Sequence, residues 1–196
     1  ALADDADVSI VADSTLTLAN LQPSPRTLRK TDAGTLVVNA VRAGALTVAD
    51  GTLRILPDGS PAAASAVGVL AVLPGATLDL TDNSIAIAYA PGASPLGDCL
   101  RLVADAYNAG RWNRPGITTS LATPGSARGL GVRDDGTQVL IAYAYLGDAN
   151  LDGLVDAADR ATIVAHLAVP PGTATWQQGD FNYDRRVDAD DFVLFQ

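Results

Sequence analysis

The chain has 196 residues and a formal net charge of −9, which suits one domain or two small ones and argues against nucleic acid or anionic membrane surfaces as partners. All 22 acidic residues are Asp, and Lys30 is the only Lys beside 12 Arg, so a helix-rich fold is disfavoured while turns, caps and hard-cation sites are favoured. One cysteine, Cys99, excludes an intramolecular disulfide framework, no Cys/His cluster suggests zinc, and no apolar run is long enough to cross a membrane.

The chain opens Ala1-Leu2-Ala3-Asp4-Asp5, without an initiator Met or a basic segment. It reads as a mature end left by signal-peptide cleavage, so a secreted or cell-surface location is expected. Residues 7–90 alternate apolar and polar in short runs, as in Val8-Ser9-Ile10, Leu16-Thr17-Leu18, Leu78-Asp79-Leu80 and Ile85-Ala86-Ile87, which is the period of strands. Pro23-Ser24-Pro25, Asp50-Gly51, Pro57-Asp58-Gly59 and Pro74-Gly75 punctuate them as turns. A glycine turn followed by a short strand recurs in Gly34-Thr35-Leu36, Gly44-Ala45-Leu46, Gly51-Thr52-Leu53 and Gly75-Ala76-Thr77-Leu78. Such a unit is one rung of a stacked β-structure, because each rung buries a face only against its neighbour.

The stretch Lys30-Thr31-Asp32-Ala33-Gly34-Thr35-Leu36-Val37-Val38 resembles the repeat of autotransporter passengers and related planctomycete-type surface proteins. That resemblance implies a β-solenoid; an antiparallel β-sandwich with glycine turns accounts for the same pattern, and both stay open. The segment Ala6–Leu21 has no hairpin partner ahead of it, so it either closes its own sheet or is donated to a neighbour's open edge.

One packed helix is expected over about residues 94–109, with Ser94 as its cap, Pro95 in its first turn, Gly110 after its end, and Leu96, Cys99, Leu100, Val103 and Tyr107 on the face toward the sheet. Strands follow around residues 129–133 and 137–145, joined by Asp134-Asp135-Gly136 in a hairpin. Trp112 reads as a loop residue covering the core edge. The body thus spans residues 1–146, and a small module occupies 147–196.

Nine Asp lie between residues 148 and 191, against only Arg160, Arg185 and Arg186. Asp148, Asn150, Asp152, Asp156 and Asp159 stand at positions 1, 3, 5, 9 and 12 of a loop, with the Leu154 carbonyl at position 7. Gly153 supplies the sharp turn at position 6. This is the ligand spacing of an EF-hand-type calcium loop. The pattern repeats 32 residues later with Asp180, Asn182, Asp184, the Arg186 carbonyl, Asp188 and Asp191. Val155 and Val187 occupy the apolar position 8 in each loop. Two Ca²⁺ sites are expected, with the second strained by Arg185 where the first has glycine.

The runs Gly147-Asp148-Ala149-Asn150-Leu151-Asp152-Gly153 and Gly179-Asp180-Phe181-Asn182-Tyr183-Asp184 resemble the duplicated segments of a type I dockerin. That resemblance implies a calcium loop and a helix in each segment, and a cohesin domain as protein partner. Positions 10 and 11, Ala157-Ala158 and Ala189-Asp190, lack the hydroxyl pair common at such recognition positions. Phe181, Phe192 and Phe195 are expected to form the module's mini-core.

No GxSxG, HExxH, P-loop or GxGxxG motif is present, Asp79/Asp82 and Asp134/Asp135 lie in turns, and the lone His166 falls on the module's first helix, so no enzyme is expected. Three functions fit: a structural or adhesive surface protein that self-associates into an extracellular fibre, a cohesin-docked component of a polysaccharide-degrading complex, or a carbohydrate-binding module using Trp112, Tyr143 and Tyr145.

Overall fold

The computed structural model describes residues 2–60 and 64–195. Its body consists of two sheets wound together. One takes β1 (Ala6–Ser9), β3 (Ser24–Thr31), β5 (Arg42–Val48), β7 (Ser65–Val72) and β9 (Ser84–Ala88) in register, all parallel. The other takes β2 (Thr15–Leu18), β4 (Thr35–Val38), β6 (Thr52–Ile55), β8 (Thr77–Asp79) and β10 (Gly116–Thr118), also parallel. The chain therefore crosses from one sheet to the other in each coil, which is a β-solenoid and not a sandwich of antiparallel strands.

The alternation read from the sequence becomes a ladder running along the stack. Leu16, Leu36, Leu53, Leu78 and Ile117 occupy one register position in successive coils. Leu36, Leu53, Leu78 and Ile117 are fully buried, whereas Leu16 is 41% exposed because β2 is the end strand of its sheet. At the coil corners backbone groups pair from turn to turn, with the Thr52 amide on Gly34 O at 3.1 Å and the Thr77 amide on Gly51 O at 2.9 Å. Gly51 holds φ +64°, and a Cβ there would strike Gly34 O and Lys30 Nζ, so this corner requires glycine.

Lys30 is fully buried in a register otherwise held by Val8, Val48 and Val72. Its ammonium donates to the carbonyls of Thr31 at 3.1 Å, Asp50 at 2.9 Å and Asp32. The segment Ala6–Leu21 supplies β1 and β2, each paired within the chain's own stack. Within the chain it forms the first coil, with β1 and β2 as the end strands of their sheets.

The fifth coil carries an inserted helix, α1 (Leu96–Tyr107), which packs on β10 and on the hairpin that follows it. Its N-cap is Pro95 rather than Ser94, although Ser94 Oγ still accepts from the Leu96 amide at 3.2 Å. It ends at Asn108 in the left-handed region (φ 43°), two residues before the expected glycine. Cys99, Leu100, Val103 and Ala106 form its buried face, and burial pushes the Cys99 thiol up to about 12, so this cysteine is an inert core residue.

Strands β11 (Arg128–Asp134) and β12 (Gln138–Tyr145) form the expected hairpin. β12 lies antiparallel on β9, which leaves β11 as the last strand of the larger sheet. Trp112 is buried at 6% exposure, edge-on to Tyr107 with ring centroids 5.2 Å apart. It covers the core edge and offers no sugar platform. Tyr145 has one face covered by the Arg128 guanidinium at 3.8 Å, and the same group lies 5.6 Å from the Tyr143 ring. Among the described residues no helix is long and apolar enough to cross a membrane.

Candidate metal centre

Residues 148–159 and 180–191 fold as two loops, each running directly into a helix: α2 (Ala157–His166) after the first and α3 (Ala189–Leu194) after the second. The transition follows from the Asp spacing. Asp156 and Asp188 are helix N-caps whose side chains accept from the amides of Ala158 at 2.7 Å and Asp190 at 3.0 Å. Asp159 and Asp191 reach back to the cap amides of Asp156 and Asp188, both at 3.0 Å. These are reciprocal capping boxes with Asp in the place usual for Glu, so positions 9 and 12 of each loop also start its helix.

Backbone amides shape the rest of each loop. Asp148 accepts from the amides of Asp152 (3.1 Å) and Gly153 (2.9 Å), while Asn150 and Asp152 accept from the amides two residues ahead. In the second loop Asn182 accepts from Asp184 at 2.8 Å, Asp184 from Arg186 at 2.9 Å, and Asp180 from Arg185 at 3.1 Å. Both loops enter the left-handed region at positions 4 and 6: Leu151 (φ 57°) and Gly153 (φ 92°), then Tyr183 (φ 60°) and Arg185 (φ 69°). The expected positive φ at Arg185 is present. Its side chain is held by Gly172 O at 2.9 Å while its carbonyl accepts from the Gly172 amide at 2.8 Å, so the linker supports the strained residue.

Among the described residues no group of three or more acidic, histidine or cysteine side chains is gathered as a metal cluster, because the loop carboxylates turn toward loop amides. One oxygen of the buried carboxylates does not. Asp180 Oδ1 is buried with no hydrogen-bond donor. Burial and then the neighbouring Asp191 push the Asp180 carboxyl up to about 7, and burial raises Asp148 and Asp191 as well. A buried carboxylate oxygen facing other carboxylates and no donor is the environment a hard cation fits.

The module's apolar side is not where the phenylalanines alone would place it. Phe181 is fully buried, but its main partner is Trp176, in a 3-10 turn (Trp176–Gln178), with centroids 4.9 Å apart. Phe192 and Phe195 are only partly buried. Tyr183, at loop position 4, lies among Tyr107, Trp112 and Trp176 with centroids 5.5, 6.5 and 5.8 Å away. Sequence reasoning missed Tyr183 and Trp176; the available signal was an apolar residue at position 4 of both loops, Leu151 and Tyr183. A single apolar core runs from the solenoid through these side chains to Ile163. His166 Nδ1 lies 2.7 Å from Thr162 O within its own helix and contributes nothing to the loops.

These features define a duplicated loop–helix module of EF-hand type built onto the end of a β-solenoid. Residues 146–195 match the family model of the dockerin type I domain. No curated protein and no solved structure matches the chain. Dockerin modules bind calcium and mediate protein–protein assembly, typically with a cohesin, and the proteins that carry them are typically extracellular or on the cell surface.

Proposed function

We propose that the protein is a non-catalytic, extracellular structural protein, a β-solenoid body whose dockerin-type module binds two Ca²⁺ ions and serves protein assembly. The observation that carries this reading is the donor-free, buried Asp180 Oδ1 at position 1 of a loop whose twin lies 32 residues earlier. Asp148, Asn150, Asp152, Asp156, Asp159 and the Leu154 carbonyl would hold the first ion. Asp180, Asn182, Asp184, Asp188, Asp191 and the Arg186 carbonyl would hold the second. Calcium would neutralise carboxylates whose ionisation burial now disfavours.

The carboxylates outside the loops support a non-catalytic role. Asp79 is buried but satisfied by Arg54 Nε at 2.7 Å and by the amides of Thr81 and Ser120. Burial pushes Asp134 up, but hydrogen bonds from Ser94, Tyr89 and the Gly136 amide outweigh it and hold the carboxyl below its ordinary range. The Thr137 hydroxyl first, then the amides of Thr137 and Gln138, hold Asp135 low too. A glycosidase acid needs a raised pKa, the opposite shift.

Docking onto a cohesin is the second reading, favoured by the module's family and by the exposed apolar side chains of Val164 on α2, Leu167 at its C-cap and Val193 on α3. Isothermal titration tests the calcium reading: two ions per chain are expected, with Asp148→Ala and Asp180→Ala each removing one. Arg185→Gly should tighten the second site several-fold. Fewer than one ion per chain overturns it.

A further inference from the structure

The last strand of the solenoid would leave a row of unpaired backbone groups, and an exposed strand edge is a template for unwanted pairing. The module covers this edge with side chains. Gln177 Oε1 accepts from the Asp134 amide at 2.7 Å, while Gln177 Nε2 donates to the Asp134 carbonyl at 3.1 Å, so one side-chain amide imitates a neighbouring strand. The Tyr183 hydroxyl donates to the Leu130 carbonyl on the same edge. Between these points Gly131 lies flat under Leu151 and Trp176; a Cβ there would sit 2.5 Å from Leu151 Cδ2 and 2.8 Å from Trp176 Cε2.

Apart from Gln177, these anchors are tied to the calcium loops. Trp176 Nε1 donates to the carbonyl of Asp148, position 1 of the first loop, at 2.7 Å. Arg133 Nη1, from β11 itself, donates to the carbonyl of Asn150, position 3, at 3.2 Å. Leu151 and Tyr183 are position 4 of their loops, held in the left-handed region between two candidate ligands. Asp180, whose Oδ1 is buried without a donor, stands three residues before Tyr183.

We propose that the module's docking partner is this chain's own solenoid: calcium in the loops holds Tyr183, Leu151 and Trp176 in place, and through them closes the β11 edge in cis. The inference rests on the calcium reading above and adds a target to it. Leu151 and Tyr183 are engaged by the body, while the outward faces of α2 and α3 stay free for another protein.

Hydrogen exchange on the full chain, with saturating calcium and again with a chelator, tests the proposal. Chelation should speed exchange at least tenfold both in residues 180–191 and in residues 128–134, while residues 36–38 and 53–55 in the middle coils stay protected. In calcium, Tyr183→Phe, which removes only the hydroxyl, should speed exchange in 128–134 while two ions still bind. If chelation opens 180–191 but leaves 128–134 unchanged, the coupling is overturned and the calcium sites stand. If neither segment responds to calcium, the calcium reading fails and the proposal falls with it.

Discussion

Lys30 occupies a position that the pattern around it assigns to valine. Removing an ammonium from water costs several kcal/mol unless its donors are satisfied, and here three backbone carbonyls from two successive coil corners do so. Burial lowers its pKa, and Asp50 and Asp32 pull it partly back. The side chain thus ties two corners where the neighbouring valines only fill space. Lys30→Met should preserve the volume yet take from the Asp32 and Asp50 carbonyls the donor that Lys30 supplies, while Thr31 O keeps the Ile10 amide, lowering stability by about 3 kcal/mol in urea unfolding. A loss below about 1 kcal/mol would mean that water replaces the ammonium at the corner. The motif containing Lys30 was legible in the sequence, but the burial of its lysine was not. A Lys within an alternating run reads as an outward residue until the turn carbonyls of the next coil are placed around it.

At the level of elements, the strands, the hairpin and the two loop–helix units were all visible as periodicity and spacing, because those signals are local. The choice between solenoid and sandwich was not, since a strand with one buried face alternates identically whether its neighbour is parallel or antiparallel. The ends of α1 shifted for a related reason. Ser94 is drawn toward Asp134 by a tertiary hydrogen bond, and the chain leaves the helix at Asn108 to bring Trp112 under the core. The contact between β11 and the module likewise joins residues 17 to 53 positions apart, which no short window of sequence reveals. Gly131 makes that contact testable. Gly131→Ala places a methyl against Leu151 and Trp176, and should cost about 1–3 kcal/mol as the module is pushed from the hairpin. The rise in melting temperature produced by calcium should shrink with it. An unchanged calcium response would show that the module stabilises itself without the hairpin.

For the whole molecule, stability is expected to accumulate coil by coil, since each coil touches only its neighbours. The two ends differ. The last coils are closed by α1, the hairpin and the module, whereas the first coil leaves Leu16 partly open and Val11 exposed. Deleting residues 1–21 should therefore leave a chain that still folds, with β-sheet circular dichroism retained and a lower melting temperature, because Leu28 and Leu36 become the new exposed end of the ladder. Loss of all sheet signal would mean that the first coil is required to form the stack.

The burial of Lys30 also has a chemical consequence. It is the only lysine in this sequence, and it is fully buried, so these 196 residues present no lysine side chain to solvent. Reagents and enzymes that act on lysine, whether they acylate, glycate, cross-link through isopeptide bonds or cleave after it, meet no lysine on the folded surface of these residues. Acylation of Lys30 would instead mark molecules whose coil corners have opened, and so would report on damage to the solenoid.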